Sequence, residues 1–502
     1  MQQAEYFYKS IPRIQLFFDS PNHCATFLGM VALILIGLTV TYWERRSKAI
    51  KYQFLFLMTG TLCLLSLLGL VMTYSRGGWI AFSLSTLLVT LFSPLKRRFA
   101  LGFSILFFLF IFLLPKGSDR LNSVGDENDK SIKHRILVWK GAAAITADHW
   151  TSGVGGDQFG KEFKLWYQPL TLKTRYAAAL NNFLTLSAER GIFALFFYLL
   201  LVTLPLWLVW RIVCENDNAW IQGVLAGQFL FCISGLFTYS LTLGDVVALY
   251  WILWTITFFY LLKKIWKKEF KITPLHFLPP TLFSSVICIG ILLWGSIELR
   301  KIPTTQTRHS IDGKDYFLLS SRHLPSTATI LFYPEIGTSL ESAVLTFSRP
   351  LAAEGFSLLI APYESAGKSA LPEFQKINQW FLKNTPPPHL LIGHGTGARL
   401  GFITATHCEG FQSMILIAPE TRWPFPELSP MNFIPTLTVP LLILHGLEDA
   451  TVDPIESQRF QEALNQNHKQ SQLLLLPQTT HSLDQDSFRR AIIQSIKNKT
   501  NR

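Results

Sequence analysis

Charge is scarce in this chain of 502 residues: Asp, Glu, Lys and Arg make up 16% of it, against about 25% in an ordinary soluble protein. Cysteine is sparse too, with 6 in all, which excludes a disulfide-stapled scaffold. Cys24, Cys63, Cys232 and Cys288 lie in apolar runs, Cys214 reads as part of a short loop, and Cys408 alone falls in the polar last part, so no disulfide can form there. Acidic residues are few, 33 against 45 basic ones, leaving a net charge of +12. That surplus does not point to nucleic acid, because it sits in short clusters beside apolar segments, as membrane topology determinants do. What is plentiful is apolar mass: 49% of residues are hydrophobic, with 40 Phe and 14 Trp. Disorder is thereby excluded and a membrane protein implied. At roughly 150 residues per domain the length fits about three domain-equivalents, so a single small module is excluded.

A bilayer core about 30 Å thick needs roughly 20 apolar residues in a helix. Eight segments approach that, near 24–43, 53–73, 79–94, 99–114, 191–210, 219–240, 246–262 and 277–297. Basic clusters follow alternate segments: Arg45, Arg46, Lys48 and Lys51, then Lys96, Arg97 and Arg98, then Arg211, then Lys263, Lys264, Lys267, Lys268 and Lys271. The positive-inside rule makes these loops cytoplasmic. The turn 73–79, the long stretch 115–190 and everything after 296 then face outward. Residues 1–23 carry no cleavable signal peptide and read as an external segment ahead of a membrane domain at 24–304. An external start with no preceding helix predicts either a partner chain that supplies N-terminal helices or a longer parent chain.

A loop of about seventy residues between membrane helices far exceeds the usual connection and points to function. It opens polar over 116–133, continues as His134-Arg135-Ile136-Leu137-Val138-Trp139, an Ala-rich helical piece at 141–148 and a turn at Gly153-Val154-Gly155-Gly156, and ends in Asn181-Asn182-Phe183-Leu184 and Glu189-Arg190-Gly191. Arg76, in Thr73-Tyr74-Ser75-Arg76-Gly77-Gly78-Trp79, stands at the outer end of the second segment. It either snorkels to lipid headgroups or binds an anion, most naturally a phosphate, whose oxygens match the planar guanidinium fork.

These motifs occur in a recognisable order: Ser20-Pro21-Asn22, Thr73-x-Ser75-Arg76-Gly77-Gly78, Arg135 to Trp139, Gly153-Val154-Gly155 to Phe159, Trp166-Tyr167-Gln168-Pro169, and Asn181-x-x-Leu184 to Glu189-x-Gly191. Over roughly 15–240 the chain resembles O-antigen ligase and polymerase-type membrane proteins. The resemblance implies an inverting, metal-independent glycosyl transfer at the outer face of the bacterial inner membrane. The donor would be a glycan on undecaprenyl pyrophosphate, and the acceptor lipid A-core sugar or a growing polysaccharide. A departing pyrophosphate needs fixed cations, for which Arg76 and Arg135 are the first candidates, with Arg175 and Arg190 behind them. The acceptor hydroxyl needs a general base. Many family members place His just before the Asn of Asn-x-x-Leu, whereas this chain has Leu180, which cannot accept a proton. Glu189, Asp157, His149 and His134 are the alternatives. Asn181 reads either as an orienting hydrogen-bond partner or as a helix N-cap, Glu189 either as a site acid or as a helix-end charge, and Gly153 and Gly155 as turn residues.

After a short polar linker at 302–306 the rhythm changes. Apolar runs at 316–320, 327–333, 357–362, 390–393, 414–418, 441–444 and 473–476 read as buried parallel strands. Helix-like stretches lie between them near 340–353, 372–384, 398–407, 455–465 and 484–497, which together imply a doubly wound α/β sheet. The order over 309–499 resembles the α/β-hydrolase superfamily. Gly393-His394-Gly395-Thr396-Gly397 sits at the turn where that family has its Gly-x-Ser-x-Gly elbow. Asp449 and His481 follow the last two strands, where the family has its acid and its histidine. Gly395 replaces the nucleophilic serine. Glycine adopts the strained elbow dihedrals at little cost, so the turn is kept while covalent catalysis is lost. Asp449 and His481 are then a retained but idle pair, unless they activate water directly.

The sequence thus predicts a polytopic helical membrane domain at 24–304 and an α/β-hydrolase-like domain at 305–502, the latter extracytoplasmic. The expected function is glycan ligation or polymerisation, with lipid-linked glycan, glycan acceptor and bilayer as partners and neither nucleic acid, cofactor nor metal. Two other readings compete: a membrane-tethered esterase or deacylase of envelope glycans or lipids, opposed by Gly395, and a non-enzymatic scaffold subunit, favoured by Leu180.

Overall fold

The computed structural model describes residues 13–90, 94–113, 130–169, 174–215, 218–239, 241, 244–365, 367–422, 426–483 and 486–500. Most of the polar stretch 116–133 and most of the expected N-terminal segment 1–23 lie outside these. The chain divides into two compact units, one holding Met1–Gln168 and Lys173–Leu299, the other Pro169–Leu172 and Arg300–Arg502.

The first unit is helical. Its long helices are α1 (Pro21–Arg45), α2 (Ile50–Met72), α3 (Arg76–Thr90), α4 (Pro94–Leu113), α5 (Lys130–Asp148), α6 (Asn182–Glu215), α7 (Ala219–Ser234), α8 (Gly244–Trp266) and α9 (Leu278–Arg300). Among the described residues, five helices are long and apolar enough to cross a bilayer: α1, α2, α6, α8 and α9. Lipid-facing helices should present large apolar side chains outward, since lipid tails are as apolar as leucine. Phe54 and Leu57 on α2, and Phe283, Val286, Ile289 and Leu293 on α9, do so.

Of these five helices, α1 is the most enclosed, and its contact with α7 is a close backbone approach. A Cβ on Gly37 would stand 2.7 Å from the Ala219 carbonyl, and one on Gly223 would stand 2.6 Å from that of Leu33. Small residues allow such approaches between membrane helices, where packing rather than the hydrophobic effect drives association. Hydroxyl and amide pairs cross-link the bundle: Thr39 donates to Thr59 at 3.1 Å and Gln228 to Thr257 at 3.0 Å. Helix α6 is longer than the apolar segment 191–210 because it begins at Asn182 and continues across a break at Gly191 (φ 83°). At that break the Ile192 N–H donates to the Trp150 carbonyl at 2.8 Å, so the end of the long loop docks there. Cys214, expected in a loop, lies in the last turn of α6, because the apolar helical pattern runs on past Arg211.

The second unit is an eight-stranded sheet: β1 (Thr304–Ile311), β2 (Lys314–Ser321), β3 (Ala328–Tyr333), β4 (Phe356–Ile360), β5 (His389–His394), β6 (Ser413–Ile417), β7 (Leu441–Gly446) and β8 (Ser471–Leu476). Their spatial order is β1-β2-β4-β3-β5-β6-β7-β8, with β2 antiparallel to both neighbours and β3 to β8 parallel. This is the α/β-hydrolase arrangement. Helices α10 (Leu371–Asn384), α11 (Thr396–Ala405), α12 (Pro454–Gln466) and α13 (Asp486–Thr500) supply the flanking layers. Strands β3 and β5 are buried end to end, as expected of parallel strands covered on both faces. The linker expected at 302–306 overlaps the start of β1, an edge strand whose first residues, Thr304-Thr305-Gln306-Thr307-Arg308, are polar and show no apolar run.

Candidate functional site

In the helical unit four of the sequence motifs, those holding Asn22, Ser75, Arg135 and Asn181, converge at one end of the bundle. Ser75 caps α3: its Oγ accepts from the Gly78 N–H at 3.2 Å and donates to Asn22 Oδ1, in the first turn of α1, at 2.8 Å. Ser20 caps α1 by accepting from the His23 N–H at 3.4 Å. Asn181 caps α6, its Oδ1 accepting from the N–H groups of Phe183 and Leu184 at 3.0 Å, while its Nδ2 donates to the Leu236 carbonyl at 3.0 Å. The turn after α7 binds these ends together. Besides Leu236, the Gly235 carbonyl accepts from the Asn182 N–H at 2.7 Å, and His23 hydrogen-bonds the Tyr239 backbone. A Cβ on Gly77 would lie 2.9 Å from Phe237 Cβ, and Arg135 Nη1 on α5 donates to the Phe237 carbonyl. Three helix N-termini and Arg135 therefore meet around residues 235–239.

Arg76 is the first residue of α3 and so belongs to this cluster. Arg13 joins it, its Nε donating to the Thr73 carbonyl at 2.8 Å; no motif marked that residue. His134, beside Arg135, meets the Tyr176 hydroxyl at 3.0 Å through Nδ1. Burial pushes the Tyr176 hydroxyl up in pKa, against hydrogen bonding from Thr174 and the charge of Arg135. Arg175 adjoins Tyr176 in sequence.

Glu189 has a different setting. Its Oε1 accepts from the Phe159 N–H at 3.4 Å, and its own carbonyl accepts from the Gly155 N–H at 2.9 Å. A Cβ on Gly153 would strike the Glu189 backbone at 2.3 Å. Glu189 thus clamps the 153–159 turn to α6, about 12 Å along the helix from Asn181 at 1.5 Å per residue.

In the second unit Gly395 stands at the strand-to-helix elbow with φ 54° and ψ −121°, a conformation that favours glycine. Gly397 is required for another reason: a Cβ there would sit 2.4 Å from the Pro334 carbonyl oxygen. Asp449 and His481 do meet. His481 Nδ1 donates to Asp449 Oδ2 at 2.7 Å, and Asp449 Oδ1 accepts from the N–H groups of Thr451 and Val452 at 2.8 and 2.9 Å. His445, fully buried, steadies the same loop, its Nε2 donating to the Val452 carbonyl at 2.9 Å.

The serine's place is filled by Glu335, which follows β3. His481 Nε2 donates to Glu335 Oε2 at 3.0 Å, and a Cβ on Gly395 would lie 3.0 Å from the Glu335 carboxyl carbon. Burial alone would raise the Glu335 pKa, but the hydrogen bond from His481 and the facing histidine charges outweigh it and lower the pKa. For His481 burial opposes charge, yet hydrogen bonds and charges from Glu335 and Asp449 prevail and push it up to about 9. His394 is the reverse: burial, then repulsion from His481, pushes it down to about 4. Neither Glu335 nor His394 was assigned a role from sequence. The available signal was an acid two residues after the wholly buried strand Ala328–Tyr333, at the carboxyl edge where α/β sheets bind ligands.

Fold and sites together define an apolar helical unit with a polar cluster at one end, joined to an α/β-hydrolase-like unit without a serine nucleophile. Residues 61–199 match the O-antigen ligase family, and residues 408–498 match the prolyl oligopeptidase family. No curated protein matches the chain. Among solved structures, it is similar to TT1662 from Thermus thermophilus (15% identity, TM-score 0.34, covering 39% of this chain and 98% of that one). It is also similar to the esterase domain of a Rhodothermus marinus protein (19%, TM-score 0.32, 38% and 96%) and to Est1E from Butyrivibrio proteoclasticus (15%, TM-score 0.32, 38% and 96%).

Proposed function

We propose that the helical unit transfers a glycan from an undecaprenyl-pyrophosphate carrier to lipid A-core sugar or a growing polysaccharide, at the outer face of the bacterial inner membrane. The observation that carries this reading is the meeting of three helix N-termini with Arg135 around 235–239, within a chain that matches the O-antigen ligase family. Helix N-termini present the positive end of the helix dipole, which favours phosphate. Arg76 and Arg135 add full positive charge, with Arg175 nearby in sequence. In the reaction the acceptor hydroxyl oxygen bonds to the anomeric carbon as that carbon's bond to the pyrophosphate oxygen breaks. The hydroxyl proton passes to a base, and the carrier leaves as its pyrophosphate. Leu180 supplies no base; His134, beside Arg135 and held by Tyr176, is the candidate the geometry favours, while Glu189 is engaged with the 153–159 turn. Asn181 orients the site by tying the α6 cap to the 235–239 turn.

The second unit is read as non-hydrolytic by the serine route, because Gly395 carries no hydroxyl and Glu335 fills its place. Surface polymer in cells carrying only Arg76→Ala or Arg135→Ala tests the assignment. Loss of polymer at unchanged protein level is expected; normal polymer would contradict the reading.

A further inference from the structure

Among the described residues, Glu335, His394 and His481 form a group of ligating side chains whose ligand atoms all lie within 4.8 Å of one another. The hydrogen bonding fixes which atoms are available. His394 Nε2 donates its proton to the His481 carbonyl at 2.9 Å, so Nδ1 carries a lone pair. That lone pair faces Glu335 Oε2 at 3.9 Å, and among the described residues no donor reaches it. His394 is only 4% exposed, so water does not satisfy it freely. The buried Nδ1 lone pair is repelled by the half-buried Glu335 carboxylate it faces, and an isolated buried polar atom is costly. A cation between them removes both penalties.

From this we infer that Glu335, His394 Nδ1 and His481 Nε2 bind one divalent transition-metal ion of the Zn²⁺ class, which takes the place of the proton that His481 Nε2 otherwise donates to Glu335 and releases it to solvent; the sequence, with no metal expected, did not suggest this site. Two imidazoles and one carboxylate with an open fourth position form a familiar zinc donor set. Tetrahedral ligands at about 2.0–2.1 Å from zinc stand roughly 3.3 Å apart, a spacing bracketed by the 3.0 and 3.9 Å separations from Glu335. The second shell is present as well. His481 Nδ1 is held by Asp449 Oδ2 at 2.7 Å, the carboxylate–histidine arrangement that fixes the ring and raises the basicity of a ligating imidazole. Gly395 also becomes intelligible: a serine side chain would intrude on the Glu335 carboxylate. The residues kept from a hydrolase site thus serve a different chemistry. The inference is independent of the glycan reading.

The test uses the purified full chain in detergent, stripped with chelator and loaded with Co²⁺ or Zn²⁺. One metal per chain is expected, with the intense visible absorption of tetrahedral cobalt and an X-ray absorption spectrum showing two imidazole ligands. Glu335→Gln and His481→Gln should lose stoichiometric binding, and Asp449→Asn should weaken it about 10–100-fold, while His468→Gln, remote in the fold, should bind as wild type does. Failure of the wild-type chain to take up metal, or an absorption spectrum without two imidazoles, overturns the proposal without recourse to any variant. So does undiminished binding by Glu335→Gln. Because polymer formation is not read out, failure here leaves the glycan reading untouched.

Discussion

At the scale of single residues, the second unit turns on the exchange of a serine for Gly395 with Glu335 in the adjoining space. Restoring the hydroxyl alone should not restore a hydrolase. In Gly395→Ser the new side chain meets the Glu335 carboxyl group while φ stays at 54°, at a cost of about 1–3 kcal/mol in stability and with no turnover of p-nitrophenyl acetate. Clearing the space should matter: Gly395→Ser with Glu335→Ala places a hydroxyl beside His481 and Asp449, and measurable esterase turnover is expected. Turnover by the single variant would show that Glu335 does not block the site. Asp449 and His481 were legible from position, since each follows a strand where the fold family carries its acid and histidine. Glu335 was not. Its partner His481 lies 146 positions away, and only the side-by-side placement of β3 and β5 brings the acid to the elbow.

At the scale of elements, the helical unit depends on places where backbone must approach backbone. Gly191 interrupts α6 at φ 83°, and a Cβ there would meet the Thr151 carbonyl oxygen at 2.2 Å. Gly191→Ala should therefore detach the end of the long loop, destabilising the unit by about 2 kcal/mol or more and opening residues near 150–160 to protease. Cleavage and thermal unfolding unchanged from wild type would contradict that account. The α1–α7 crossing makes a parallel case: Gly37→Val should lower the thermal unfolding temperature, because the Ala219 carbonyl stands 2.7 Å from the new Cβ. The apolar helices were readable from composition because lipid demands long uninterrupted apolar runs. The α6 break and the polar edge strand β1 were not, since the first is set by tertiary docking and the second has no apolar pattern to read.

At the scale of the whole molecule, two units have separate cores and separate clusters of polar residues. The residues assigned to glycan transfer all lie before residue 240, and the putting together of Asn22, Ser75, Arg135 and Asn181 happens entirely within the helical unit. A chain ended after Arg300 should therefore retain transfer, and residues 300–502 expressed alone should unfold as one cooperative transition. Order along the chain made the membrane motifs recognisable, but not their meeting point. The turn at 235–239, which gathers them, carries no motif of its own. In the proposed reaction, fixed positive charge at this end of the bundle holds the lipid-borne diphosphate while the sugar departs. Reconstitution into liposomes with a glycan-loaded undecaprenyl-pyrophosphate donor and an acceptor tests it most directly, by the rate at which free carrier pyrophosphate is released. Arg135→Ala should slow release about 10²–10³-fold with the fold intact; release at the wild-type rate would contradict the account.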